Sequence, residues 1–200
     1  MPEAGELRRV GVMGGTFDPI HIGHLVAGSE AMHAFDLDRV TFVPTGRPWQ
    51  KSEYSDQEDR YLMTLLGSES HPCFSVSRIE LDRRGPTYTA DTMQELHDFY
   101  GPDVELFFIA GADAILQLHT WERVDRLKDL TVMIAVSRPG FELGEFEAQV
   151  DWPRVQVMEM PGIDVSASDI RDRARSGRPI DFLVPAPVHD YIRKQGLYAS

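Results

Sequence analysis

Two hundred residues, 42% hydrophobic and 26% charged, suit one globular domain over 1–200 with a real core. The formal net charge of -12 argues against an extended nucleic-acid or membrane surface, since backbone-phosphate binding draws on an excess of Lys and Arg, so any anion site has to be local. Cys73 stands alone, which excludes an internal disulfide and a cysteine-rich zinc site. The start MPEAGELRRV shows no secretory signal and no segment reaches membrane-span length, so a cytoplasmic chain is expected.

The apolar run Val10 to Met13 predicts a short buried strand, and Ile22, Leu25, Val26, Ser29 and Met32 recur at helical spacing. The stretch that joins them, Gly14 to Leu25, reads GGTFDPIHIGHL. Adjacent glycines without Cβ let the backbone turn sharply and bring its N–H groups close to a ligand's oxygens. Asp18-Pro19 sets a bend, and the first helical turn then carries His21 and, one turn on, His24, on one face. Free N–H groups and the positive end of the helix dipole favour an anion at the same place. The loop is suited to a phosphate, yet it is neither GxxxxGK(S/T) nor GxGxxG.

Val40 to Val43, closed by Pro44, predicts a second buried strand, and Thr45 to Ser55, with the basic Arg47 and Lys51, a loop. A helix is expected from Gln57 to Leu66, and a third strand of imperfect alternation through Phe74, Val76, Ile79 and Leu81. After the turn Arg83 to Pro86, the residues Thr89, Thr92, Met93, Leu96 and Phe99 or Tyr100 share a helical face that Gly101-Pro102 ends. Val104 to Ala110 is the strongest strand signal and runs into Gly111-Ala112-Asp113. A helix around Trp121 to Lys128 leads to a strand from Leu130 to Val136 and the loop Ser137 to Gly140, which contains Arg138. The acidic stretch Phe141 to Val150 reads as an exposed excursion, and Val155 with Val157 as one more strand. A helix opens at Ser166, a last one spans about Pro187 to Lys194, and this helical part from about 166 is expected to pack on the sheet. Strands alternating with helices at this pitch predict an α/β fold: a doubly wound, mostly parallel sheet with helices on both faces. Ligands in such sheets bind beyond the carboxyl ends of the strands, near a switch point.

GGTFDPIHIGH resembles the signature of the HxGH nucleotidylyltransferases, which share a Rossmann-like fold and move a nucleoside monophosphate from a triphosphate to a phosphorylated acceptor. Its wording is most similar to bacterial nicotinate-nucleotide adenylyltransferases, which make deamido-NAD and pyrophosphate from ATP and nicotinate mononucleotide in NAD biosynthesis. VSASDIR resembles the family's second signature, ISSTxIR, with Ala167 in place of the middle serine. The resemblance extends from Gly11 to Tyr198.

It implies ATP contacts at Gly14, Gly15, Thr16, Phe17, His21, His24, Gly111, Asp113, Arg138, Ser166, Ser168 and Arg171, with His21, His24 and Arg171 as the catalytic group. Mononucleotide contacts would come from Asp18, Lys51, Tyr88, Thr89 and Trp121, the last stacking on the nicotinate ring. Each residue also has a plainer reading. The histidines could be packed or solvated, or ligate a metal, although no cysteine or His cluster adds ligands. Ser166 could cap its helix, with Asp169 three residues on, and Asp113, Thr87 or Thr89 could do the same for theirs. Trp121 at helical spacing would ordinarily be core, and Lys51 and Arg138, taken singly, solvated surface.

In the implied reaction the acceptor's 5′-phosphate attacks the α-phosphorus of ATP. With a second pKa near ~6 that phosphate needs no catalytic base, which fits a chain without a nucleophile and base grouping. Mg2+ would be held mainly by the ATP phosphates rather than by a protein carboxylate cage. The rivals are the same chemistry on another acceptor, such as nicotinamide mononucleotide or phosphopantetheine, a cytidylyltransferase, or a nucleotide-binding regulator without turnover. No nucleic-acid or membrane partner is expected, and a homo-oligomer is compatible with this reading.

Overall fold

The computed structural model describes residues 7–46, 54–137, 146, 150 and 152–199. Six strands form one sheet: β1 (Arg9–Gly15), β2 (Arg39–Pro44), β3 (Phe74–Val76), β4 (Glu105–Gly111), β5 (Thr131–Ser137) and β6 (Val155–Glu159). Their order is β3-β2-β1-β4-β5-β6, and every pairing is parallel. The helices are α1 (Ile22–Ala34), α2 (Gln57–Ser68), α3 (Thr89–Tyr100), α4 (Ala112–Leu116), α5 (Val124–Leu130), α6 (Ala167–Arg175) and α7 (Ala186–Gln195).

The four central strands, β2, β1, β4 and β5, are buried on both sides, so neighbouring residues feed opposite cores. Met13, Phe42, Phe107, Ile109 and Ile134 face one core with Ala27 and Ala31 of α1, Met63 of α2, Ile170 of α6, and Val188 and Ile192 of α7. Val12, Val43, Leu106, Phe108 and Met133 face the other with Met93 and Leu96 of α3, Ile115 of α4 and Leu127 of α5. The helical part after residue 166 thus packs in the same core as α1 and α2. Among the described residues, no helix is long and apolar enough to cross a membrane.

Three expectations change. The third strand stops at Val76: Ser77 still donates its N–H to the Phe42 carbonyl, and the chain then leaves the sheet edge and closes a turn from Asp82 N–H to the Arg78 carbonyl. Glu80 and Leu81 are both buried there, so the apparent alternation reflects packing of an irregular segment rather than a strand. Trp121 does not start a helix; it follows a short 3-10 turn (Leu118–Thr120), and α5 begins only after Arg123 takes a left-handed conformation with φ 59°. Of the supposed exposed excursion, Phe146 is described and is buried in the second core.

Helix α2 lies so close to α7 that there is no room for a side chain at Gly67. A Cβ there would stand 2.7 Å from Ile20 Cγ2 and 3.3 Å from Val188 Cγ2. Gly67→Ala is expected to lower stability by about 1 to 2 kcal/mol in urea unfolding, the overpacking outweighing alanine's better helix propensity.

Candidate active site

The order of the strands places the switch point between β1 and β4, and a cleft of about 390 Å³ opens there, at the carboxyl end of the sheet. One side is the end of β1, Gly14 to Thr16, with Val43 in β2 and Thr45 beyond it; the other carries Tyr88, Thr89, Gln117 and Trp121. Trp121 is only half-buried. Its ring meets Phe108 of β4 edge-on, centroids 5.8 Å apart, so it is at once the rim of the core and a wall of the cleft.

The glycines serve by their size rather than by an unusual turn. Neither has a positive φ; the left-handed residue is Phe17, at φ 49°. A Cβ on Gly15 would lie 2.8 Å from the Phe17 ring, so glycine is what lets the loop fold back on itself. Phe17 itself is buried, packed against Phe42 and edge-on to His24 at 5.0 Å, so its ring is core and not ligand surface.

His21 is the N-cap of α1, in extended conformation, and His24 is the third residue of the helix. Their rings stack 3.7 Å apart. The His21 N–H donates to His24 Nδ1 at 3.3 Å, so a neutral His24 carries its proton on Nε2 and is oriented as a donor from that atom. Gly23 lies between them because a Cβ there would be 3.1 Å from both His21 Nδ1 and Val165 Cγ1. Val165 precedes Ser166, the N-cap of α6, and so the second motif is packed onto the first.

One hydrogen bond joins the two motifs directly. Arg171 Nη1 donates to the Asp18 carbonyl at 2.7 Å, across 153 residues of chain, and its Nη2 lies 3.4 Å from Ser168 Oγ. Ser166 caps α6, its hydroxyl accepting from the Asp169 N–H at 3.1 Å. The Asp18 carboxylate, expected as a mononucleotide contact, is engaged within the protein. It is buried, with Oδ1 accepting from the Tyr198 hydroxyl at 2.6 Å and Oδ2 from the Ser55 N–H at 3.1 Å. Burial and that carboxylate hold the Tyr198 hydroxyl well above its usual range, so it stays a donor.

Gly111 and Asp113 are exposed at the start of α4, where Asp113 makes no cap; from that helix Ala114, rather than either of them, lines the cleft. Lys51 and Arg138 lie outside the described residues, as does Arg47. The structure therefore gathers Gly14, Gly15, Thr16, Tyr88, Thr89 and Trp121 around the cleft. It gathers His21, His24, Ser168 and Arg171 beside the same loop, on its α1 and α6 side.

Two residues the motifs did not mark hold this frame. Arg60 of α2 is fully buried, and its guanidinium donates to four main-chain carbonyls: Thr16 at 3.0 Å, Thr45 at 2.7 Å, Gly46 at 3.1 Å and Ser55 at 3.2 Å. Desolvation lowers its pKa, opposed first by Asp18. Its sequence signal was its position on the stripe shared with Met63, Thr64 and Gly67, the buried face of α2. Glu80 is the second: buried at the cleft's edge, it accepts from the Thr92 hydroxyl at 2.8 Å. Burial raises its pKa, opposed by that hydrogen bond.

A parallel sheet of this order, with a glycine-lined loop at its switch point and two histidines at the following helix start, is the arrangement expected of a nucleotidyl-transferring protein. The family model described as cytidylyltransferase-like matches residues 12–173. A protein of Leifsonia xyli named "probable nicotinate-nucleotide adenylyltransferase" is 52% identical over 192 residues, covering 96% of this chain and 94% of that one. One of the same name from Saccharopolyspora erythraea is 52% identical over 194 residues, covering 96% and 90%. The solved structure of Plasmodium falciparum nicotinic acid mononucleotide adenylyltransferase complexed with NaAD superposes with a TM-score of 0.79 at 19% identity, covering 96% of this chain and 97% of that one. The chain belongs to the nicotinate-nucleotide adenylyltransferase family, within the cytidylyltransferase-like proteins.

Glu80 gives a pH signature. Its folded pKa lies above the unfolded value, so its contribution to stability is fully present below the unfolded carboxylate range and is lost as pH rises through the folded pKa. Glu80→Gln removes that loss. The variant's thermal midpoint, relative to the parent, is expected to rise between pH 4 and pH 8, about the unfolded value of ~4.3 and above.

Proposed function

We propose that this chain transfers the adenylyl group of ATP to nicotinate mononucleotide, giving deamido-NAD and pyrophosphate, in the cytoplasm. The observation that carries the reading is the two-ended cleft at the switch point: a glycine-lined end beside His21, His24 and Arg171, and an aromatic end of Tyr88 and Trp121. Membership in the family named for that reaction supports it.

An oxygen of the acceptor's 5′-phosphate attacks the α-phosphorus, and a new P–O bond forms. The bond from the α-phosphorus to the bridging oxygen breaks, and its electron pair leaves with pyrophosphate. The attacking phosphate, with a second pKa near ~6, is already a dianion at neutral pH, so no side chain has to take a proton. The protein's task is to hold two polyanions in line and to meet the charge that collects on the leaving oxygens. The backbone of Gly14, Gly15 and Thr16 and the side chains of His21, His24, Ser168 and Arg171 do this, and magnesium enters on the nucleotide's phosphate oxygens as part of the substrate. Tyr88, Thr89 and Trp121 receive the pyridine ring.

Pyrophosphate release with ATP and each acceptor in turn tests the reading. The highest kcat/KM is expected with nicotinate mononucleotide, ahead of nicotinamide mononucleotide and phosphopantetheine; a preference for either of the others overturns the assignment. His24→Ala, which removes one oriented donor without opening the core, is expected to lower kcat by about 100-fold. The KM for nicotinate mononucleotide should stay within a few-fold.

A further inference from the structure

The two aromatic walls of the cleft come from separate segments. Tyr88 is the N-cap residue of α3, and Trp121 precedes α5. What spans them lies outside the cleft. Arg123, two residues after Trp121, donates to the Asp91 carboxylate in the first turn of α3, with Nη1 2.6 Å from Oδ1, and its guanidinium carbon sits 5.1 Å from the centre of the Tyr88 ring. Arg126 adds a second, longer approach to Asp91 at 3.4 Å. One side chain thus grips the helix start that carries one wall and lies over that wall's ring, while its own backbone continues into the other wall.

The backbone of Arg123 makes the arrangement more telling. It is one of five described residues other than glycine with positive φ, at 59°. Glycine would take that conformation at no steric cost, whereas a residue with a Cβ is strained there. Arg123 also makes no cap to the helix it precedes. Its side chain is therefore held at a position where local backbone sterics favour having none, and what it touches is Asp91 and Tyr88.

We infer that Arg123 is a positioning residue for the acceptor: through Asp91 and Tyr88 it sets the gap between the Tyr88 and Trp121 walls into which the pyridine ring slides. The inference rests on reading that cleft as the mononucleotide's site. Its planar guanidinium suits the task, because one rigid group holds a carboxylate through Nη1 and lies over an aromatic face together. The phosphate end of the site, held by Arg60 and Arg171 on the other side of the sheet, is untouched by it.

Arg123→Gly removes the clamp and relieves the backbone at once, so a loss of function cannot be laid to strain. The thermal midpoint is expected to stay within a few degrees of the parent's, and the KM for nicotinate mononucleotide to rise about fivefold, the scale of an exposed ion pair. kcat and the KM for ATP should stay within about twofold, because the clamp touches neither the phosphate loop nor the histidines. Ribose 5-phosphate, which has no ring, is expected to inhibit parent and variant equally. Asp91→Asn should reproduce the acceptor effect, and the double variant should be no worse than either single, as for two halves of one contact. An unchanged acceptor KM overturns the inference, as does a KM for ATP or an inhibition constant for ribose 5-phosphate that rises as far as the acceptor KM. A parent enzyme inactive on nicotinate mononucleotide overturns instead the reading of the cleft, and the clamp with it.

Discussion

A buried guanidinium holds the site together. Arg60 reaches from α2 to the carbonyls of Thr16, Thr45, Gly46 and Ser55, which belong to the segment after β1, the segment after β2 and the lead into α2 itself. Each of these carbonyls is a main-chain acceptor at a strand or helix end, where regular structure supplies no donor. An arginine is the side chain with enough N–H groups in a fixed plane to serve all four. Its hydrogen-bond partners are carbonyls, and the buried Asp18 carboxylate nearby offsets part of the cost of desolvating its charge. The guanidinium lies just behind the glycine-lined loop, in a chain of net charge -12.

The same loop is fixed from two further directions. Arg171 takes the Asp18 carbonyl, and Tyr198 with Ser55 takes the Asp18 carboxylate, so α6, the segment after α7 and the lead into α2 all converge on one residue. Asp18 in this signature works as a fastening. The histidines then project from a helix start whose approach to α6 depends on glycine at position 23. Orientation at the site is inherited from packing, which is what holding two reactants in line requires.

Much of this was legible in the order of residues. Val10 to Met13 and Val104 to Ala110 read as strands because a parallel strand buried on both faces is a continuous apolar run. The alternation of such runs with helices gave the doubly wound sheet, and the glycine and histidine wording gave the loop. What escaped were features decided by tertiary contacts. An arginine at position 60 reads as surface unless the stripe of Met63, Thr64 and Gly67 is given more weight than its charge. Ile79 and Leu81 alternate as a strand would, yet they fill core space from an irregular segment with Glu80 buried between them. Trp121 sits at helical spacing, but the left-handed Arg123 delays the helix, and an arginine gives no local sign of that conformation. Asp18 read as a mononucleotide contact through the resemblance of its motif; the hydrogen-bond partners of its carboxylate in the fold lie 37 and 180 residues away.

The strand order has a kinetic side. β1, near the start of the chain, lies at the middle of the sheet and pairs on one side with β2 and on the other with β4, which begins at Glu105. The crevice between β1 and β4 is therefore closed by a contact between segments nearly half a chain apart. Loop-closure entropy opposes such contacts, and chains rich in them fold slowly. During synthesis the loop after β1 is made before β4 exists, so an emerging chain carries one wall of the crevice before it can shape the other.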